Sequence, residues 1–298
     1  MKIMVTGISG RLGRATRAAL AAAGHDVAGI DVCFSRDVPK LHLVDLLDGK
    51  ALYPILDGCD AVVHLANHTG VHHGPSPQAV YGENNQMNAN VFQAAFDLGI
   101  RRFVFASSIQ AVCGDRDGWS GGKERPSKLA YLPLDEHTPR CPGNLYALSK
   151  VAGERLLEHY AAQDAKVCAT AIRFPVLISR HHIPYYQAGA RKRRHIADLL
   201  DEAFTYLVSD DGGALIEAVL RRETPGCRCI LPAAPDNLLG LPIPEVIREY
   251  YPTVPLRAPA ESLTSFVDLA ALERRYGWTP KHGGHFTPEA LAAVATED

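Results

Sequence analysis

The segment Thr6-Gly7-Ile8-Ser9-Gly10-Arg11-Leu12-Gly13 constrains this chain most. It sets three glycines, three residues apart, between an apolar run (Ile3-Met4-Val5-Thr6) and an Ala/Leu-rich helical run from Leu12 to Ala23. Glycine lets the backbone turn tightly and approach a pyrophosphate. The helix N-terminus that follows offers unpaired N–H groups and the positive end of its dipole. Gly24 then stops the helix. The next strand-like run, Val27-Ala28-Gly29-Ile30-Asp31, ends on an acid. An acid there accepts hydrogen bonds from an adenosine ribose and repels a 2′-phosphate, so NAD is expected over NADP, with Arg36 nearby softening the preference.

Strand–turn–helix–strand continues along the first half. Ala61-Val62-Val63-His64-Leu65, Arg102-Phe103-Val104-Phe105-Ala106 and Val167 to Arg173 read as further strands, and Val80 to Leu98 and Leu145 to Tyr160 as helices. Strands this apolar, separated by helices, predict an α/β fold: a Rossmann-type parallel sheet with helices on both faces. After Arg180 the alternation fades, and prolines crowd the stretch from Pro232 to Pro259. The expected organisation is therefore an NAD-binding domain over residues 1–175. A smaller, mainly substrate-binding C-terminal region covers 176–298, with the chain returning to the sheet near 226–232. Substrate is expected at the carboxyl ends of the strands, in the cleft between the two. The polar stretch Asp115 to Lys128 reads as an exposed insertion, with Trp119 as a candidate lid residue.

Composition narrows the class. A formal net charge of -2 over 298 residues lacks the basic excess of a nucleic-acid binder. No apolar run is long enough to span a bilayer, and the N-terminus has no signal-peptide pattern, so a cytoplasmic protein is expected, with neither membrane nor nucleic acid as partner. Seven irregularly spaced cysteines argue against a disulfide framework. Cys227-x-Cys229 has no second pair at metal-finger spacing, and no metal is expected.

Tyr146-Ala147-Leu148-Ser149-Lys150 places a phenol and an ammonium on one helix face. The ammonium favours the phenolate, and the pair can move a hydroxyl proton while a nicotinamide exchanges hydride. Taken with Thr6 to Gly13, Val63-His64-Leu65-Ala66 and Ser107-Ser108, this resembles the extended short-chain dehydrogenase/reductase family, the NAD-dependent epimerase/dehydratase group. Tyr276-Gly277-Trp278-Thr279-Pro280 resembles the family's ending.

The resemblance implies roles position by position. Ser108 would bind the reacting oxygen, Tyr146 would act as acid/base, and Lys150 would hold the nicotinamide ribose and tune the tyrosine. Counted from Ser-Ser-x-x-x-Val the serine is Ser108; counted back from Gly114 the position falls on Ile109. Ser107 is then a packing residue. Cofactor contacts are implied at Gly7, Gly10, Arg11, Leu12, Gly13 and Asp31, and on the adenine side at Asp45 and Leu46. On the nicotinamide side they are implied at Leu65, Ala66, Asn67, Phe174 and Pro175. Asn84 matches an asparagine of the family's helix before the serine-bearing strand and is a further implied cofactor contact; Asn90 matches another asparagine of that helix.

Departures bear on substrate. Ile109-Gln110 replaces the Asp-Glu pair of sugar-nucleotide dehydratases, and Val176 and Ser179 replace an Asn and a Gly of nucleotide-sugar epimerases. Thr205 to Val219 looks more like uronate dehydrogenase and its relatives, whose Asn-His pair after the serines is also Ile109-Gln110 here. His68, Ser108, Gln110 and Arg191 are the candidate substrate contacts, with His72, His73, His181, His182 and the Arg191-Lys192-Arg193-Arg194 run as weaker ones. The expected function is NAD-dependent hydride transfer at a secondary alcohol or ketone of a small sugar or sugar-derived substrate, in a homodimer. The alternatives are a nucleotide-sugar epimerase with tightly bound NAD and a non-catalytic NAD(P)-binding regulator.

Overall fold

In the computed structural model, residues 1–68, 76–113, 128–191, 199–222 and 224–293 are described. Seven strands form one sheet in the order β3-β2-β1-β4-β5-β6-β9. They are β1 (Lys2–Thr6), β2 (Asp26–Asp31), β3 (Leu41–Leu43), β4 (Ala61–His64), β5 (Arg102–Ser108), β6 (Cys168–Phe174) and β9 (Gly226–Ile230). The sheet is parallel, and helices surround it in a Rossmann-like arrangement. Met4, Val62, Phe103, Phe105, Ala169 and Ala171 share one core cluster with Leu52, Val91, Phe92 and Leu157 from the helices. Their strand neighbours Ile3, Val5, Val63, Val104 and Ile172 alternate to the other face and are equally buried. Burial on both faces is why these strands read as continuous apolar runs.

The helices here are α1 (Arg11–Ala22), α2 (Gly49–Leu56), α3 (Pro77–Asp97) and α4 (Leu145–Gln163). Ser76 caps α3, its hydroxyl accepting from the Ala79 N–H, with Pro77 in the first turn. Asp48 caps α2 in the same way. Both α2 and the short β3 escape a reading by period: α2 is eight residues long with Pro54 inside it, and β3 spans three residues, of which His42 and Leu43 are exposed.

The chain divides into two compact units, each built of three segments: 1–108, 145–173 and 212–230 in the first; 109–144, 174–211 and 231–298 in the second. The second contains the two-stranded parallel ladder of β7 (Val176–Ile178) and β8 (Tyr206–Val208), and α5 (Ile183–Arg191). It also holds α7 (Ile243–Tyr250), α8 (Ala270–Tyr276) and α9 (Pro288–Ala293). Its core gathers Leu132, Leu134, Phe204, Leu231, Val246, Tyr251 and Phe266. Trp278 is buried and donates to the Asp211 carbonyl, while the Asp211 carboxylate accepts from the Lys281 and His282 N–H groups. Helix α6 (Ser209–Arg221) carries Asp210 and Asp211 in its first turn and Arg221 in its last, complementing the helix dipole. Gly212 and Gly213 lie within this helix. A Cβ on Gly213 would meet the Ala15 carbonyl carbon at 2.6 Å, so close packing on α1 demands the glycine. No helix among the described residues is long and apolar enough to cross a membrane.

Candidate active site

The glycine turn is made by backbone contacts. Gly7 sits at φ +69°, and a Cβ there would lie 2.8 Å from the Ala66 nitrogen. A Cβ on Gly13 would lie 2.2 Å from the Gly7 carbonyl oxygen, so that helix turn closes against the loop only with glycine. Gly10 is the N-cap of α1 and provides no side-chain cap to the first-turn N–H groups. Arg11 is exposed and Leu12 buried. Asp31 stands beside this turn, its carboxylate accepting from the Ser9 N–H at 2.9 Å and the Cys33 N–H at 3.0 Å. The Val44 N–H bonds the Asp31 carbonyl, which brings the Asp45-Leu46 segment alongside. Asn90 holds that segment through the carbonyls of Leu46 and Leu47. An uncapped helix start, a loop with no room for Cβ atoms and a fixed carboxylate at the second strand's end fit a dinucleotide.

The second cluster is made by side chains. Register pairs Thr6 of β1 with His64 of β4, and their side chains bond at 2.7 Å. The Thr6 hydroxyl oxygen accepts from the Leu65 and Ala66 N–H groups, so its own O–H donates to His64 Nδ1. His64 Nε2 then donates to Asn88 Oδ1 at 2.9 Å. Asn67 Nδ2 donates to the same oxygen at 3.1 Å, and Asn67 Oδ1 accepts from Lys150 Nζ at 2.7 Å. Lys150 Nζ also donates to the Ala106 carbonyl at 2.8 Å and lies 5.5 Å from the Tyr146 ring centre. Burial pulls Lys150 down to about 7. Burial, with the Lys150 charge beside it, pulls His64 down to about 3, so His64 is neutral.

Tyr146, Lys150 and Ser108 therefore belong to the same unit as the glycine turn. Ser108 ends β5 and is 7% exposed. Ser107 donates to Glu154, which forms a buried ion pair with Arg173, a packing role. Asn84 is wholly buried: it brackets the His68 backbone and donates to Ser149, acting as a strut between the segment after β4 and α4. The His68 imidazole pairs with Glu83 at 2.7 Å. Gln110 lies in the other unit, donating to Glu202 and accepting from Asn144. Phe174 ends β6, and it and Pro175 are buried. His181 and His182 lie in the 3₁₀ turn before α5, their ring centres 4.0 Å apart and their planes tilted by 43°. Arg191 ends α5, but its side chain lies outside the described residues, as do residues 192–194, His72, His73, and 114–127 with Trp119. Cys227 and Cys229 lie on β9, and no group of three metal-binding side chains occurs among the described residues.

Asn88 lies in none of the sequence motifs, and His64, though within Val63-His64-Leu65-Ala66, receives no role from them. A signal was present: Asn84 and Asn88, four apart, interrupt the buried face of α3 formed by Val80, Met87 and Val91. Amides on a core-facing stripe need partners, and partners there imply a buried polar network.

Residues 3–210 match the family model described as the NAD dependent epimerase/dehydratase family. An NAD-dependent glucose-6-phosphate dehydrogenase from Haloferax volcanii is 30% identical over 207 residues, 63% of this chain and 72% of that protein. A uronate dehydrogenase from Pseudomonas syringae pv. tomato is 27% identical over 163 residues, covering 53% of this chain and only 54% of its own length. In fold, the chain is similar to the crystal structure of UDP-glucose-4-epimerase from Stenotrophomonas maltophila with bound NAD and formylated UDP-arabinopyranose. The TM-score is 0.70 at 20% identity, covering 98% of each chain.

Proposed function

The chain belongs to the NAD-dependent epimerase/dehydratase family, within the extended short-chain dehydrogenase/reductase superfamily, and on that premise we propose that it is an NAD-dependent dehydrogenase oxidising a secondary alcohol of a free sugar or sugar-derived molecule. The observation that carries the reading is the buried Lys150 ammonium, held between Asn67 and Ala106 and 5.5 Å from the Tyr146 ring centre. NAD, when bound, takes up the hydride. Gly7, Gly10 and Gly13 with the first turn of α1 would hold the pyrophosphate, and Asp31 the adenosine ribose. The Asp31 carboxylate is pinned by two backbone N–H groups, and its fixed negative charge disfavours the 2′-phosphate of NADP.

The chain's own residues handle the proton. Tyr146, as phenolate, accepts the proton of the substrate hydroxyl as the carbon–hydrogen bond gives up its hydride and the carbonyl forms. Lys150 stabilises the phenolate electrostatically, and Ser108 donates a hydrogen bond to the substrate oxygen. Val176 and Ser179, where nucleotide-sugar epimerases of the resembling group carry Asn and Gly, favour a substrate without a nucleotide. The glucose-6-phosphate and uronate dehydrogenases among the relatives support sugar oxidation.

The test is a substrate screen read by NADH absorbance, covering free sugars, sugar acids, sugar phosphates and nucleotide sugars. NADH accumulating with a sugar or sugar acid supports the reading. Interconversion of a nucleotide sugar without NADH replaces it with epimerisation. Cofactor binding without turnover across the panel replaces it with a regulator.

A further inference from the structure

Lys150 is an ammonium in a place that disfavours charge. It is 3% exposed, and Phe105 presents its ring 5.0 Å from Nζ. Among its neighbours, His64 on β4 is neutral, and Tyr146 shares its helix face. One helical turn on, Glu154 is neutralised by Arg173. Among the described residues no carboxylate bonds Nζ, which meets two neutral carbonyl oxygens, those of Ala106 and of the Asn67 side chain.

The Asn67 amide can present its oxygen to Lys150 in one orientation only. Its Nδ2 is anchored on Asn88 Oδ1, and that oxygen is itself oriented by His64 Nε2. Reversing Asn67 would set its NH₂ against the ammonium, donor against donor. Asn88 is held in this arrangement despite a penalty, because its own Nδ2 is buried with no hydrogen-bond partner among the described residues. A buried amide kept half satisfied is more economically explained by what its oxygen does than by packing.

We propose that Asn67 and Asn88 are positioning residues for Lys150: Asn88 fixes the Asn67 amide, whose carbonyl keeps the buried ammonium protonated and aimed. An ammonium has three N–H donors. With two fixed on Ala106 and Asn67, the direction of the third is set by tetrahedral geometry, and that donor serves the reacting side. Asn67, which the resemblance implies beside the nicotinamide half, thus acts on the lysine. The role matters for turnover only if the tyrosine–lysine reading proposed above holds.

The experiment follows Lys150 directly, without a substrate. The full-length protein is labelled with ε-¹³C-lysine, the Lys150 resonance is identified by its loss in Lys150→Arg, and its titration is recorded by NMR with and without NAD. Asn67→Ala is expected to lower the midpoint by about one pH unit or more, the worth of a hydrogen bond to a charged group. Asn67→Asp is expected to raise it, since a carboxylate replaces the carbonyl. Asn88→Ala is expected to lower it less than Asn67→Ala, because the carbonyl remains but loses its anchor. Should Asn67→Ala fail to fold, Asn67→Ser takes its place, with a side chain too short to reach Nζ. A midpoint that stays put in both the Asn67→Asp and the Asn67→Ala or Ser variants overturns the proposal. If the midpoints move as expected but the pH profile of turnover does not follow them, the positioning role stands and the tyrosine–lysine mechanism falls.

Discussion

The glycine turn and the lysine cluster meet at Thr6, which ends the first strand just before Gly7 and hydrogen-bonds His64. They are built in opposite ways. The turn works through backbone: its specificity lies in the absence of Cβ atoms, and its one fixed charge, Asp31, is held by main-chain N–H groups. The cluster works through side chains drawn from β1, β4, the segment after β4, α3 and α4, and His64 and Lys150 within it are both shifted by burial. A backbone site is damaged by added volume and is indifferent to pH near neutrality. A side-chain site is damaged by removing a single polar atom and is sensitive to pH.

The largest expected effect separates the two. Tyr146→Phe removes one oxygen from the chemistry and none from the turn. Turnover should fall by roughly two to four decades while NAD affinity, measured by calorimetry, is nearly kept. Full activity in this variant would remove the distinction between binding and chemistry drawn here. Gly13→Ala attacks the other side. A Cβ placed 2.2 Å from the Gly7 oxygen must push the helix off the loop, with a stability loss of about 3 kcal/mol or more in denaturant unfolding and loss of NAD binding.

A pH series sharpens the contrast further. His64 titrates near 6.5 when unfolded and at about 3 when folded, so between these values the unfolded chain binds the extra proton. Stability therefore falls as pH drops below 6.5, by about 1.4 kcal/mol per unit until the folded value is reached. Lys150, at about 7 folded against 10.5 unfolded, gives the same sign in its own window: stability rises with pH between those values. Urea unfolding across pH should show both slopes, and His64→Gln should flatten the acidic one by one proton. An acidic limb unchanged in that variant would mean His64 is not the titrating group.

Two smaller effects belong to the turn. Asp31→Ala should narrow the preference for NAD over NADP by roughly tenfold, a single fixed charge's worth, in binding titrations. A wild-type protein that prefers NADP would contradict the assignment outright. Gly10→Ala should be the mildest change, below about 1 kcal/mol, because its Cβ would meet the Gly7 oxygen at 3.1 Å, a contact that small shifts can relieve. Equal damage from Gly10→Ala and Gly13→Ala would show that general backbone freedom, not one close approach, governs the turn.

Much of the frame was legible in sequence. β1, α1, β2, β4, α3, β5, α4 and β6 follow from apolar pattern and from glycine punctuation within a few residues. β3, α2 and α6 do not: the first is three residues long, the second carries a proline, and the third carries Gly212 and Gly213 in its first half, of which Gly213 is explained by its contact with Ala15. Nor can a boundary read along the chain express units that interleave, as residues 109–144 and 212–230 do.

What the sequence determined by itself was therefore everything encoded at short range: the glycine turn, the acid ending the second strand, and Tyr146 and Lys150 four residues apart on one helix face. Tertiary structure alone decided what surrounds the lysine. Thr6, His64, Asn67, Asn88 and Lys150 span almost 150 residues. They meet because β1 and β4 pair in one register and α3 and α4 pack against the same sheet. A hydrogen-bond network needs donors and acceptors within about 3 Å, and no local spacing reports a distance closed by strand register and helix packing.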